Sequence, residues 1–190
     1  MSIGYWETLV SQVVDGPTLT AGTRASAINA GARYTMAANR LKVGDVLSLR
    51  ASGRLSTVVT TPGNSSWDLA WGVLGAIKIF DTLPITGNIV VQTTVPWWLE
   101  AEGIVRSVGP STSATMFWGG AFVSSAIIAP VAGAAGAPAV AVPFNTAPVV
   151  GAGFDSTTAT IIDFCFTQTA ATASMTVHNY SLSLKTSSGF

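Results

Sequence analysis

The chain has 190 residues, of which 48% are hydrophobic and only 9% are charged. An average soluble domain carries roughly 25% charged residues, so this chain lacks the side chains that keep disordered segments and helical bundles solvated. Nine basic and nine acidic residues cancel, and no bulk positive charge points to nucleic acid as a partner. The length suits one domain.

The first 32 residues differ from the rest of the chain. Tyr5 and Trp6 are large and apolar, but the segment breaks at residues 15–17 and then becomes small and polar. A terminal segment is ordered only where something ties it down, and two such aromatic side chains are costly to leave in water. We therefore predict an N-terminal arm, up to about Gly16, that docks on a neighbouring subunit or on a larger shell through Trp6. The alternative is a first strand paired within the same domain.

From residue 33 onward, alternation of apolar and polar residues with period two is the main signal. It is clearest between Leu47 and Ser56, where it predicts a half-buried antiparallel strand with one wet face. Further strands are predicted at 33–41 (a short strand and corner), 67–73, 76–80, 95–108, 114–128, 162–167 and 175–184. About eight strands separated by turn residues predict an all-β, antiparallel, jelly-roll-like sandwich over residues 33–190.

The last predicted strand contains a break in its alternation. Met175 and Val177 share one phase, whereas Tyr180 and Leu182 share the other. A shift of one residue sends every following side chain to the opposite face of a sheet. We therefore predict a β-bulge at residues 178–179 that returns both groups to the same core.

Residues 107–154 contain no charged side chain. A membrane-spanning helix needs about 20 mostly apolar residues, but the best window, 121–143, is interrupted by prolines and glycines and has no basic flanks. We expect no membrane span, and we interpret residues 129–148 as an extended connector packed on apolar surface. Because the core of a subunit interface is depleted in charge, the same stretch predicts the interface of a homotrimer.

Residues that could carry catalysis or hold a metal are scarce. Cys165 is the only cysteine and His178 the only histidine, so a typical zinc site lacks ligands and no intrachain disulfide can form. We expect Cys165 to be a buried structural thiol and His178 to be a satisfied or interface residue. Glu100 and Glu102 share one strand face, which favours a solvated pair over the opposed carboxylates of a glycosidase. We predict no catalytic residue, no metal and no cofactor.

Large aromatic residues are the candidates for an interface with another subunit or a larger assembly. The predicted interface residues are Tyr5, Trp6, Trp97, Trp98, Trp118, Phe122 and Phe144. Aromatic platforms can also bind sugars, so a module that binds carbohydrate or a host surface is an alternative function.

Charge is divided unevenly along the chain. Residues 1–54 hold six basic and three acidic side chains, whereas residues 55–190 hold three basic and six acidic ones. This asymmetry fits contacts between unlike parts of neighbouring copies, or it has no functional meaning.

Three stretches carry a resemblance to a known family. The run RYTMAANRLKVGD at 33–45 leads into the strand at 47–56, GFDSTT at 153–158 leads into the strand near 162, and HNYSL follows at 178–182. Their order and spacing resemble small head-associated structural proteins of tailed bacteriophages, which are similar to jelly-roll decoration (cement) proteins and head fibres.

The resemblance implies a virion structural protein rather than an enzyme. It implies a homotrimer on the capsid exterior, bound to the major capsid protein, with no nucleic-acid or membrane partner. We expect synthesis in the cytoplasm of the host bacterium, since the N-terminus lacks the basic and apolar regions of a signal peptide. A tail or fibre component is the alternative within the same class.

Overall fold

The computed structural model describes residues 5–57, 63–88, 90–127, 139–147, 150–170 and 173–186. The strands in chain order are β1 Tyr5–Ser11, β2 Ala25–Ser26, β3 Tyr34–Met36, β4 Val46–Thr57, β5 Asn64–Trp71, β6 Ile77–Asp81, β7 Ile85–Thr86, β8 Gln92–Ser107, β9 Thr115–Ser124, β10 Ala139–Val142, β11 Thr160–Gln168 and β12 Ser174–Thr186. One short 3-10 helix spans Ala30–Ala32. Each of the eight predicted strands has a counterpart, and these are β3, β4, β5, β6, β8, β9, β11 and β12. The strands β1, β2, β7 and β10 are additional.

The strands form two antiparallel sheets that pack face to face, which confirms the predicted all-β sandwich. Sheet A has the order β1-β12-β4-β8-β9-β10, and sheet B has the order β2-β11-β5-β6, with β3 also paired to β11 and β7 to β5. In the central strand β4, Leu47, Leu49 and Leu55 face the interior and are at most 1% exposed, as their alternation predicts. Arg50 and Arg54 lie on the opposite, exposed face.

Aromatic side chains fill the space between the sheets. Trp67 of β5 is fully buried, and its ring lies 5.4 Å from Trp97 of β8 and 4.3 Å from Phe122 of β9 between centroids. A second contact, between Phe164 of β11 and Tyr180 of β12, joins the sheets with a centroid distance of 5.5 Å. Tilted and stacked rings at these distances add to the stabilisation from buried apolar area.

The predicted bulge in β12 is confirmed. The pairing of β12 with β4 shifts register between Val177 and Asn179. On either side of the shift, Met175, Val177, Tyr180 and Leu182 are at most 2% exposed and belong to the same core.

The prediction of an N-terminal arm is wrong for residues 5–16, which form the alternative, a first strand of the same domain. β1 pairs with β12 from Tyr5 opposite Thr186 to Ser11 opposite Ser181. Beyond β1, backbone hydrogen bonds to β12 continue as far as Leu19. The edge of β12 would otherwise present unpaired backbone groups, and pairing through the backbone needs no side-chain alternation to guide it.

The predicted apolar connector also contains a strand, within the part of it that the structure describes. Residues 139–142 form β10, which pairs with β9 and ends sheet A within the described part of the chain. Residues 1–4 of the predicted arm and 129–138 and 148 of the predicted connector lie outside the described residues.

Deletion of Asn179 tests the role of the bulge. Removing one residue there sends either Met175 and Val177 or Tyr180 and Leu182 away from the core, and burial of each such side chain stabilises by about 1.5–3 kcal/mol. We expect the free energy of unfolding, measured in urea, to fall by several kcal/mol or the variant not to fold. Asn179→Ala, which keeps the residue count, is the control and should stay near the wild type. Equal stability of the deletion and the control would contradict a register set by the bulge.

Candidate binding surface

The two residues with the best potential for nucleophilic catalysis lie on different sheets. Cys165 is buried in β11 on the outer side of sheet B, since its neighbours Phe164 and Phe166 point into the core. His178 lies at the bulge of sheet A, where its Nδ1 is 2.9 Å from Oδ1 of Asp15 on the surface. The sandwich therefore separates the thiol from the imidazole, and the expectation of a buried thiol is confirmed.

The outer side of sheet B is covered by a cluster of charged side chains. The carboxylates of Asp68 and Asp163 are fully buried there. Arg24 donates to both carboxylate oxygens of Asp68, with Nε 2.9 Å from Oδ2. Asp163 accepts hydrogen bonds from Ser26 Oγ at 2.6 Å and from Arg33 Nε at 3.2 Å. Each buried carboxylate thus has an arginine partner and further donors, which is the arrangement that such groups need.

This cluster explains why both faces of β5 are buried. Trp67 to Trp71 are all buried, although Asp68 and Ala70 alternate with the residues that face the core. The segment that carries Arg24 and Arg33 pairs with β11 through β2 and β3, and the two arginine side chains extend from it to this second face. The sequence signal for this cluster was an aspartate in the middle of each of two strands. The arginine partner of Asp68 lies 44 residues away in sequence and that of Asp163 lies 130 residues away.

Ion pairs within one chain account for part of the uneven charge. Arg24 pairs with Asp68, Arg33 with Asp163 and Arg50 with Glu100, so each pair joins the basic N-terminal part to the acidic remainder. These six side chains therefore need no neighbouring copy to balance them.

Three of the predicted interface residues belong to the core. Trp97, Trp118 and Phe122 are at most 3% exposed and pack between the sheets. Their assignment to a subunit interface is wrong, because the wide gap between two sheets needs large side chains to fill it. Phe144 is partly buried against the same core.

The remaining predicted interface residues are exposed. Trp6 and Trp98 are 58% and 54% exposed, and both lie on the outer face of sheet A. Tyr5 is 61% exposed. Because it directly precedes Trp6 in β1, its side chain points to the other side of that strand. Trp98 points outward because its neighbour Trp97 points into the core.

An apolar patch continues from Trp98 to the end of sheet A, bordered by Glu100, which lies opposite Ala121, and by Arg106, whose guanidinium lies over the ring of Phe117. We call it the apolar edge and define it as the outward side chains of β9 and β10, which are Phe117, Ala121, Val123, Ala139 and Ala141. Val123 lies opposite both Trp98 and Ala139, and it is 41% exposed. Exposed contiguous apolar surface is typical of contact with another macromolecule.

No protein-family model matches the chain, and no curated protein matches it either. Across the described ranges, no three His, Cys, Asp or Glu side chains come together as a group that could hold a metal ion. The described part of the chain also has no helix long and apolar enough to cross a membrane.

The buried thiol predicts a pH dependence of stability. Burial, together with the carboxylates of Asp68 and Asp163, raises the pKa of Cys165 from 9.0 to about 12. Between these values the native state keeps a proton that the unfolded chain has released, so stability falls as pH rises through this window. We expect the free energy of unfolding to decline from about pH 9 upward.

Cys165→Ala removes this contribution and is the comparison. Its free energy of unfolding, measured in urea over the same pH range, should decline less steeply than that of the wild type. Burial also raises the pKa of Tyr180, and this side chain is present in both proteins. Parallel pH profiles would contradict a protonated, desolvated thiol.

Proposed function

We propose that this chain is a structural, non-enzymatic subunit of a tailed-bacteriophage particle. In this proposal its jelly-roll-like sandwich assembles as a homotrimer, binds the major capsid protein and decorates the capsid exterior. The family resemblance of residues 33–45, 153–158 and 178–182 supports the capsid position. The apolar edge is the observation that supports assembly of the chain into oligomers.

The apolar edge fits contact between copies of the chain. It lies within residues 107–154, which carry no charge, and the cores of subunit interfaces are depleted in charge in the same way. Burial of apolar surface stabilises by roughly 25 cal/mol per Å², so covering this patch is favourable.

The position of the edge in the sheet supports the same function. At the other end of sheet A, β1 already covers the edge of β12. β10 is the last strand at the opposite end within the described residues, and a terminal strand offers backbone groups to which a neighbouring chain can pair.

A lysine in the apolar edge tests this assembly. Ala141 is exposed on β10, and Ala141→Lys would place a charge in the proposed interface, where its desolvation opposes association. By light scattering we expect the wild type near three times the 19.5 kDa chain mass and the variant near one chain mass. Ala76→Lys, at an exposed position just before β6, is the matched control and should remain a trimer.

The same three proteins test attachment to the capsid. We expect the wild type and Ala76→Lys to sediment saturably with purified capsids that lack the protein, and Ala141→Lys to sediment less. A wild-type monomer, or the absence of capsid binding, would contradict the proposed function.

A further inference from the structure

We propose that the outer face of sheet A also carries a binding site for a neutral, linear carbohydrate, on the strands away from the apolar edge. The site is a groove over β1, β12 and β4, which we call the serine groove. Its floor is made of short hydroxyl side chains, namely Thr8, Ser11, Ser48, Ser181 and Ser183. Ser52 and Asn179 continue it at one end.

The strand register explains why these side chains form a groove. Thr8, Ser183 and Ser48 lie in one row across the three strands. The next row contains Ser11 and Ser181. Two cavities of about 340 Å³ each follow these rows and share Arg50 and Ser181 in their linings. Taller side chains bound the connected groove, with Trp6 at one end and Trp98 at the other.

The hydroxyl groups on the floor are available to a ligand. The side chains of Ser48, Ser181 and Ser183 make no hydrogen bond to another described residue. Ser48 is only 7% exposed, yet it lines the groove. Each hydroxyl can donate one hydrogen bond and accept others, so a ligand that supplies donors and acceptors would pair with these side chains.

The two tryptophans add flat apolar surfaces to this row of hydroxyls. Trp6 and Trp98 are more than half exposed, whereas the core tryptophans Trp67, Trp97 and Trp118 are buried. The face of an indole ring is electron-rich and apolar, and it can stack against the C–H face of a pyranose ring. Sugars present such C–H faces together with many hydroxyls, so they match both features of the groove.

Charge distinguishes a sugar from an anionic ligand. Arg50 is the cation in the middle of the groove, and its NH2 group lies 2.6 Å from the carboxylate of Glu100. Lys185 Nζ lies over one face of the Trp6 ring at 5.9 Å, so a sugar would stack on the other face, and Glu102 is on the same sheet face as a second carboxylate. The central cation is therefore compensated, which favours a neutral ligand over a phosphate or a nucleic acid.

The distance between the tryptophans favours an oligosaccharide over a single sugar. Their rows are six residues apart along β4, and three strand-to-strand steps separate β1 from β8. Strand dimensions give about 20 Å along the strands and about 14 Å across them, or about 25 Å in total. A short linear oligosaccharide can reach between the two rings, whereas a monosaccharide can contact only one.

A glycan array that includes maltohexaose, cellohexaose and chitohexaose tests this site. Each glycan that binds is then titrated into the full chain, and its affinity is measured from the change in tryptophan fluorescence. We expect at least one linear oligosaccharide to bind. Trp6→Ala and Trp98→Ala should each weaken that binding about tenfold or more, which corresponds to about 1.4 kcal/mol.

Matched variants make the test specific. Tyr5→Ala removes an aromatic of similar exposure from the other side of β1, and Arg54→Ala removes an exposed cation outside the groove. Both should bind as the wild type does, and so should Ala141→Lys, because the apolar edge is a separate surface. Failure of every glycan to bind the wild type would overturn the proposal. Equal losses in Tyr5→Ala and Trp6→Ala would overturn it as well.

Discussion

The contact of Trp67 with Trp97 and Phe122 determines which side of each strand faces outward. Trp67 belongs to sheet B and the other two to sheet A, so their packing joins the two sheets. Side chains alternate along a strand, and with Trp97 and Phe122 fixed inward, Trp98 and Val123 must face outward. Both proposed surfaces, the apolar edge and one end of the serine groove, follow from this packing.

The outer faces of the two sheets differ in what covers them. On sheet B, the side chains of Arg24 and Arg33 extend over the strands from the segment that pairs with β11, and they neutralise two buried aspartates. Breaking such a pair by removing one partner costs about 3–5 kcal/mol, so this cover is part of the fold. On sheet A, no described segment covers the row from Trp98 to Ala139. The exposed apolar and polar groups on the outer face of sheet A are therefore accessible to binding partners.

Local patterns predicted the strands well, because alternation and the phase break in β12 are properties of neighbouring residues. The same alternation distinguishes adjacent Trp97 and Trp98, because Trp97 shares the phase of Leu99 and Ala101 whereas Trp98 shares the phase of Glu100 and Glu102. The prediction placed both tryptophans at an interface by residue type and did not use this phase. The N-terminal segment was misassigned because it joins β12 through its backbone. The covered face of β5 was missed because the partner of Asp68 lies outside the strand.

The number of copies per particle tests the central claim most directly, namely that this chain decorates a capsid. The proposed function implies that a phage encodes the chain, and purified particles of that phage would be digested and analysed by quantitative mass spectrometry against the major capsid protein. A decoration protein should be present at a copy number comparable to that of the major capsid protein. A few copies per particle would place the chain in the tail or a fibre, and its absence from particles would contradict a virion role.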